Sequence, residues 1–147
     1  MKPRKISSTD RIIDANINRL REGLRVCEEI TRFVLNSRLL TEDFKKIRHS
    51  INLLIKRMPA GIELIKKRDS LKDIGSRIYI KDEFRRSSCE DIFFANMQRV
   101  KESARVLEEF SKLKDVNLAR GFKKIRYAIY ETEKRIAGKI PALRDHR

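Results

Sequence analysis

The sequence predicts an all-α fold, and two observations lead to that prediction. Fifteen residues from Ala15 to Glu29, ANINRLREGLRVCEE, recur as ANMQRVKESARVLEE from Ala95 to Glu109 at a fixed offset of 80. Elsewhere, apolar residues follow the three- and four-residue spacing of amphipathic helices. Two tandem αα-hairpins that bury their apolar stripes against each other give a four-helix bundle with pseudo-twofold symmetry and an irregular central loop.

Length and composition limit both the domain organisation and the function. The 147 residues fit one helical domain, 1–147, with repeat 1 at about 7–58, the central loop at about 59–86 and repeat 2 at about 87–138. A net charge of +15 favours anionic partners such as phosphorylated metabolites, nucleic acid or acidic lipid. Two cysteines and two histidines, without metal-ligand spacing, predict neither a disulfide framework nor a zinc site. No stretch approaches the ~20 apolar residues of a membrane span, so a cytoplasmic location is expected.

The first hairpin begins at a cluster of capping side chains at positions 7–10, including Ser7, and its first helix has apolar positions as far as about residue 35. After a break at residues 36 and 37, Thr41 is predicted to cap the second helix, which Pro59 and Gly61 end. The stripe of this second helix has amphipathic spacing: Phe44, Ile47, Ile51, Leu54 and Met58.

The second hairpin repeats the same plan. Ser87 and Glu90 have the spacing of a capping box, and Asp115 with Asn117 is predicted to cap the last helix. The pentapeptide FKKIR occurs at 44–48 and again at 122–126, an offset of 78. The last helix carries the stripe Phe122, Ile125, Ile129 and Ile136.

The segment between the hairpins is predicted to be irregular. Residues 62–67 suit a short helical turn, residues 68–88 have no sustained period, and the RIYI run at 77–80 is compatible with a brief strand. A loop of about twenty residues inside a compact domain is usually functional or disordered. Arg68, Asp69 and Asp73 lie near Gly75, which suits an anion clamp, a magnesium carboxylate and a backbone bend; a charged, solvated linker explains the same residues.

Polar side chains preserved in the repeat are the candidate site residues. A helical wheel places Asn16 and Arg19 inside the apolar arc of the first helix, with Ile12, Gly23, Val26, Ile30 and Phe33, and it places Asn96 and Arg99 likewise in the second copy. Glu22 and Glu102 lie on the shoulder of each arc. An arginine that faces a core must be paired, because its desolvation costs several kcal/mol. Gly23 is predicted to mark a close helix crossing and Cys27 a core position.

Two interpretations of these arginines are open. One is a buried Arg–Glu network, in which Arg19 pairs with Glu22 or Glu109, and Arg99 pairs with Glu102 or Glu29. The other is a polar cleft, completed by Arg48 and Arg126 from the facing helices, in which fork-shaped donors hold a phosphate.

Ordered sequence blocks in both halves resemble one known family. They read RIIDANxNRxREGLRVxEE, FKKIR, RDxxxDIG, FxANxxRVxExxRVLEEFxKL and IRYxIYxxE, and they cover about Arg11 to Glu133. The chain is similar to the helical domain found N-terminal to thiamine-phosphate synthase in some bacteria and also as a separate protein. That domain is associated with hydroxymethylpyrimidine phosphate kinase activity.

The resemblance implies a reaction in which the γ-phosphoryl group of ATP, with Mg²⁺, passes to 4-amino-5-hydroxymethyl-2-methylpyrimidine phosphate and gives its diphosphate. It implies thiamine-phosphate synthase as a partner, and a homo-oligomer is compatible with it. No GxxxxGK[ST] loop is present, so the phosphate site must consist of side chains. The matching positions imply three roles. Asn16 and Asn96 would bind the pyrimidine, and Asp69 or Asp73 would hold magnesium or accept a proton. The cations would be Arg19, Arg48, Arg68, Arg99 and Arg126.

Two alternatives to a kinase remain at this level. A non-catalytic ligand-binding or partner domain of thiamine biosynthesis would need the same pocket without the magnesium carboxylate. A basic nucleic-acid-binding module would explain the net charge. The sequence disfavours nucleic acid because the duplicated arginines are predicted to point inward and aromatic residues make up only 7% of the chain.

Overall fold

Helices account for nearly all regular structure in the computed structural model, which describes residues 8–58, 61–139 and 141. A π-helical turn, Ile30–Val34, extends the first helix, and a 3-10 turn, Ile74–Arg77, interrupts the central loop. The described ranges contain no strand, so the all-α prediction is confirmed and the brief strand at 77–80 is wrong. The α-helices are α1 Ser8–Glu29, α2 Arg38–Lys56, α3 Gly61–Lys66, α4 Cys89–Ser111 and α5 Val116–Ala137.

The four long helices pack in a closed cycle, α1 on α4, α4 on α5, α5 on α2 and α2 on α1. α1 and α4 run in opposite directions, because Cys27 approaches Phe93 while Gly23 approaches Val100. Within the described part of the chain, no helix is both long and apolar enough to cross a bilayer. All four helices contribute fully buried side chains to one core, among them Leu20, Leu24, Phe44, Phe93 and Phe122.

The apolar stripes predicted for α2 and α5 are confirmed. Every member is buried except Met58, which is half-buried at the edge of the core. α2 ends at Lys56, and Gly61 begins α3 instead of ending α2, so that boundary prediction is wrong. α3 confirms the helical turn expected at 62–67, while Pro59 and Ser7 lie outside the described residues.

The cap of α2 is Ser37, not Thr41 as predicted. Ser37 Oγ accepts a hydrogen bond from Leu40 N at 3.3 Å. Thr41 lies inside the first turn, where it is buried and its hydroxyl donates to Ser37 O at 2.7 Å. The residue before the cap, Asn36, has a left-handed φ of 49°, which lets the chain reverse between the helices. The helix therefore starts immediately after the break.

The cap of α4 is shifted by one residue from the prediction. Ser88, not Ser87, accepts the hydrogen bond from Asp91 N, at 3.3 Å, and Asp91 accepts one from Ser87 N at 3.0 Å. The capping carboxylate is thus Asp91 instead of Glu90. At α5 the prediction is confirmed, since Asp115 Oδ1 accepts from Asn117 N at 2.8 Å.

The buried face of α1 lies about 100° further round the helix than the wheel predicted. Gly23, Ile30 and Asn16 are buried as expected, but Arg19 and its counterpart Arg99 are exposed. The inward placement of these arginines is therefore wrong. α1 and the π-helical turn carry a second apolar stripe, including Ile12 and the 62%-exposed Phe33, and this stripe shifted the predicted arc away from the core. The true core face consists of Ile13, Ile17, Leu20, Leu24 and Cys27.

Gly23 marks a close crossing of α1 and α4, as predicted. A Cβ built on Gly23 would lie 2.7 Å from Val100 Cγ2 and 3.2 Å from Asn96 O. The absence of a side chain therefore lets the two helix backbones approach each other. The prediction for Cys27 is also confirmed, because its thiol is fully buried in the core beside this crossing.

Candidate functional site

A polar cleft of about 600 Å³ lies between the outer face of α1 and the first part of the central loop. The second apolar stripe of α1 contributes Ile12 and Ala15 to the cleft wall, and Ile74 of the loop faces them. Charged groups of both signs line the remainder. The polar residues on the α1 side include Arg11, Asn16, Asn18, Arg19 and Glu22, and those on the loop side include Arg68, Asp69, Lys72 and Asp73.

Two ion pairs hold the start of the central loop against α1. Arg68 donates to both carboxylate oxygens of Asp14, with both N···O distances at 2.8 Å. Lys67 Nζ lies 2.5 Å from Asp10 Oδ2. Both aspartates are buried, so Lys67 and Arg68 help to compensate the charge of carboxylates that lie out of water. The loop wall of the cleft is thereby fixed relative to α1.

The ionic contacts of these anchors also shift their proton affinities. Hydrogen bonding to Asp14 raises the pKa of Arg68, so the guanidinium stays charged. At Asp10, burial acts to raise the pKa, but hydrogen bonds and charge from Lys114 and Lys67 outweigh it and the pKa lies below its ordinary value. Lys114 Nζ is 2.7 Å from Asp10 Oδ1 and brings the α4–α5 turn to the same carboxylate.

The two loop carboxylates predicted to act in chemistry line the cleft. Asp69 Oδ1 accepts from Lys72 N at 3.3 Å, and Asp73 Oδ1 accepts from Gly75 N at 2.8 Å, where Asp73 caps the 3-10 turn. These bonds orient each carboxylate and use only one of its two oxygens. Within residues 8–58 and 61–139, no three His, Cys, Asp or Glu side chains form a cluster suited to a metal ion. Magnesium commonly takes one or two carboxylates together with phosphate oxygens, which such a pair can provide.

A smaller pocket of about 360 Å³ continues the cleft across the α1–α4 crossing. Asn16 and Arg19 line both spaces, whereas Arg99, Glu102 and Ser103 line only the smaller one. The cleft and this pocket share Asn16 and Arg19, and the two spaces together are called the groove below; Arg19 and Arg99 both line it, although neither is buried. In the described structure, no ion pair joins Arg19 to Glu22 or Glu109, nor Arg99 to Glu102 or Glu29. Glu102 accepts instead from Gln98, at 3.0 Å.

The repeated asparagines bond to their own helices. Asn16 Nδ2 donates to Ile12 O and Asn96 Nδ2 donates to Ile92 O, each at 2.8 Å. Asn16 is buried at the junction of the two spaces, so its amide oxygen is the part that can meet a ligand there. Asn96 lines neither space and lies behind the close crossing at Gly23.

Arg48 and Arg126 do not reach the cleft, which corrects their predicted role. Arg48 binds Glu28 at 2.9 Å, and Arg126 binds Glu108 at 2.8 Å. Arg126 donates hydrogen bonds to Glu108 and to Tyr130, and these bonds raise its pKa above the ordinary value, with Glu108 the larger cause. A buried Arg–Glu network therefore exists, but its members differ from those predicted. Glu28 and Glu108 point toward the neighbouring helix of their own hairpin, whereas Arg19 and Arg99 point outward.

Several cleft residues were not predicted from the repeat, because the second copy does not preserve them. Arg11, Asp14 and Asn18 line the cleft, and so does Lys72 of the loop. A comparison of the two copies could have identified these cleft residues, since a polar residue that is present in only one copy cannot belong to a repeated structural contact. At the 80-residue offset, Arg11, Asp14 and Asn18 are replaced by Asp91, Phe94 and Gln98.

The chain is similar to proteins of one known family. A family model described as the ThiD2 family matches residues 11–135. No solved structure matches the chain.

The curated relatives that match are longer proteins. A thiamine-phosphate synthase of Nostoc punctiforme is 41% identical over 128 residues, which are 87% of this chain and 35% of the relative. One from Synechocystis sp. is 38% identical over 128 residues, 87% of this chain and 36% of the relative. One from Rhodopirellula baltica is 36% identical over 133 residues, 90% of this chain and 35% of the relative. The chain thus spans about a third of the length of these relatives.

Proposed function

The chain belongs to the ThiD2 family, and we propose that it transfers the γ-phosphoryl group of Mg·ATP to hydroxymethylpyrimidine phosphate in thiamine biosynthesis. The names of the relatives support the pathway, because they are thiamine-phosphate synthases. The observation that carries the reaction is the groove itself. Arg19, Asp69 and Asp73 line its larger part, and Arg19 and Arg99 line its smaller part.

Charge explains why such a groove suits phosphoryl transfer. Phosphoryl transfer depends mainly on positioning and on cationic stabilisation of the transferring group, and both substrates are polyanions. Arg19 lines both parts of the groove, so it can contact phosphates placed in either part. Arg11 and Lys72 add donors at the wider end. We propose that Arg19 contacts the phosphoryl group during its transfer and that Arg99 contacts a phosphate group that is not transferred.

Arg68 has a different role from the one first implied. Its guanidinium is held by both oxygens of Asp14, which leaves the remaining N–H groups to face the cleft. We therefore assign Arg68 as a fixed cation that also positions the loop. Asp14 is then a positioning residue, because it acts on the ligand only through Arg68.

The acceptor atom is an oxygen of the substrate phosphate, which changes the role of the loop carboxylates. In the monophosphate the hydroxymethyl oxygen is already esterified, so it has no proton for Asp69 or Asp73 to accept. The phosphate oxygen attacks Pγ, a new P–O–P linkage forms, and ADP leaves with the electrons of the broken bond. We assign Asp69 and Asp73 to the magnesium that accompanies ATP, with no general base required.

The same proposal includes a duplicated scaffold. We infer that α1 with α2, and α4 with α5, are two tandem αα-hairpins related by a pseudo-twofold axis. Equivalent ion pairs support this: Glu28 with Arg48 in one half and Glu108 with Arg126 in the other. The central loop lies beside α1, so we propose that catalysis takes place on the α1 side of the molecule.

Mixed charge in the cleft disfavours the nucleic-acid alternative. Arg19 and Arg99 are exposed, so their orientation does not disfavour nucleic acid as the sequence predicted. Glu22, Asp69 and Asp73, however, lie among the cleft cations and would repel a continuous phosphate backbone. A short polyanion with bound magnesium meets no such repulsion.

Turnover by matched variants tests the proposal. The purified chain, Mg·ATP and hydroxymethylpyrimidine phosphate should give ADP and the pyrimidine diphosphate. Arg19→Ala should lower kcat/KM by ~10²-fold, a size typical of a lost transition-state donor. Arg120→Ala, an exposed arginine of α5 outside the groove, is the matched control and should leave turnover unchanged.

Binding measured beside turnover separates the alternatives. If wild-type protein binds the monophosphate by calorimetry but forms no diphosphate, the chain is a non-catalytic ligand-binding domain. If Arg19→Ala and Arg99→Ala turn over as fast as Arg120→Ala, the groove is not the active site.

A further inference from the structure

A second groove lies between α2 and α5 and shares no residue with the candidate active site. Its volume is about 420 Å³. The buried side chains of Ile47, Leu54 and Ile125 lie beneath it, and Leu53 stands on its edge with 48% of its surface exposed. An apolar floor of this kind is left in water unless another molecule covers it.

Gly121 is the reason that this groove is open. A Cβ at Gly121 would come within 2.6 Å of Leu54 Cδ1, so any side chain there would occupy the space above Leu54. The residue at the equivalent position of the first hairpin, 78 residues earlier, is Asp43. Asp43 is buried and paired with Arg135 at 3.3 Å, which fills the corresponding position at the other end of α2 and α5.

The rim of the groove is cationic. Lys46, Arg57 and Lys124 line it and all three are exposed, whereas no carboxylate lies among its described lining residues. The remaining polar side chain, Ser50, is satisfied internally, since its hydroxyl donates to Lys46 O at 3.0 Å. The groove thus combines an apolar floor with unbalanced positive charge.

We propose that this groove docks an amphipathic helix with acidic flanks, supplied by a partner protein. The floor receives the apolar stripe of the helix, and the cationic rim pairs with carboxylates on both sides of that stripe. From Lys46 to Arg57, α2 spans eleven residue steps, or roughly 16 Å, which matches about three turns of a docked helix. Ser50, Gly121 and Ala128 are small, so the docked backbone can approach closely.

Charge excludes the other occupants that this chain could offer. A second copy, itself at +15, would place Lys46 and Lys124 against the same cations if the grooves met face to face. Residues 1–7 carry three basic residues and no acidic one, and residues 139–147 carry three Lys or Arg and one acidic residue, Asp145. Nucleic acid would meet an aliphatic floor without an aromatic side chain on which a base could stack.

The test uses a synthetic fluorescein-labelled helical peptide of 18 residues, with Leu at i, i+3, i+4 and i+7 spacing and Glu on both flanks. Anisotropy gives the affinity, and ¹H–¹⁵N spectra of the full chain give the site. Lys46→Glu with Lys124→Glu should weaken binding at least ~10-fold more than the matched pair Lys45→Glu with Lys134→Glu, which lies outside the groove. Ala128→Phe fills the groove from an exposed helix position without altering charge, and should also abolish binding.

Three results would overturn the proposal. One is equal loss of affinity in the two charge-reversal pairs, since that shows a general attraction to a basic surface. Another is equal binding of a scrambled peptide of the same composition, because the apolar stripe would then be irrelevant. The third is displacement of the peptide by a single-stranded RNA 18-mer with shifts at the same groove residues, which would assign the groove to nucleic acid. All of these variants are expected to leave phosphoryl transfer unchanged. Absence of phosphoryl transfer in the wild-type chain would therefore contradict the proposed function without contradicting the docking of a helix.

Discussion

At the scale of single residues, one glutamate kept in both copies holds neighbouring helices together. Glu28 and Glu108 are each almost fully buried, and each receives two arginines. One arginine comes from the same helix, three residues earlier, and the other from the next long helix. Repetition of charged residues therefore reflects a repeated buried contact, since a carboxylate in the core requires its partner wherever the fold places it. The equivalent sets are Arg25, Glu28 and Arg48, and Arg105, Glu108 and Arg126.

Removal of Arg126 should be severely destabilising. Its side chain is 10% exposed and that of Glu108 is 7% exposed, so Arg126→Ala leaves a buried carboxylate without its main partner. We expect a loss of about 3–5 kcal/mol in the free energy of unfolding, measured by urea denaturation. Arg105→Ala is the control, because Arg105 is 56% exposed and should cost less than about 1 kcal/mol. Equal losses in the two variants would show that burial of the pair is not what stabilises it.

Cys27 should react with thiol reagents only when the whole domain opens. Burial, and to a lesser degree the charge of Glu133, raises the pKa of its thiol to about 12, from an ordinary 9.0. At pH 8 we expect Cys27 to be labelled more than ~10³-fold more slowly than the partly exposed Cys89, at a rate set by global unfolding. Mass spectrometry of timed alkylation resolves the two sites, with Cys89→Ser as the control. Labelling of Cys27 as fast as Cys89 would contradict its core position.

At the scale of elements, sequence patterns predicted which segments are helical better than they predicted which side of each helix is buried. α2 and α5 each have one apolar stripe, so their buried sides were predictable from spacing alone. α1 has two stripes, and helical spacing cannot tell which one meets the core and which one lines a cleft. Caps were predicted to within a few residues, because neighbouring serines and threonines compete for the same role.

The crossing of α1 and α4 should not tolerate a methyl group at position 23. Gly23→Ala gains helix propensity of up to ~1 kcal/mol, but its Cβ would lie 2.7 Å from the stiff, β-branched Val100. We expect a net loss of about 1–3 kcal/mol from this overpacking. The double variant Gly23→Ala with Val100→Ala removes the 2.7 Å contact and keeps only the 3.2 Å approach to Asn96 O. Its loss of stability should therefore be smaller than the sum of the losses in the two single variants. Thermal unfolding of the four proteins measures this coupling, and simple additivity would show that the crossing is not tight.

The attachment of α3 and the loop to α1 should weaken in acid. The pKa of Asp10 in the folded protein lies below the ordinary 3.8, so the stability that it contributes is complete above about pH 4 and is lost as pH falls through the folded value. Asp10→Asn lacks that titration. The urea midpoints of the wild type and of Asp10→Asn, measured between pH 2 and pH 5, should therefore differ most at pH 5 and converge toward pH 2. Parallel curves would mean that the ion pairs with Lys67 and Lys114 do not stabilise the fold.

At the scale of the whole molecule, the two copies of the repeat carry equivalent buried ion pairs and differ at residues of the cleft. The repeat predicted the all-α fold, because duplicated apolar and ionic contacts must satisfy the same packing twice. It predicted Asn16 and Arg19, which line the cleft, but not Asp14 and Asn18, since these two occur once. It also could not predict the pairing of Asp14 with Arg68, which lies 54 residues away in a segment without periodicity. Residues that break the repeat are thus a second guide to the site, beside those that the repeat preserves.

The most direct test of the central claim is a ³¹P spectrum of the wild-type chain incubated with Mg·ATP and hydroxymethylpyrimidine phosphate. Phosphoryl transfer to the substrate predicts loss of the monophosphate resonance and growth of two coupled diphosphate resonances, in step with ADP. Omission of Mg²⁺ should stop their appearance. A spectrum in which ATP yields only ADP and inorganic phosphate, or remains unchanged while the monophosphate is bound, would contradict the proposed kinase.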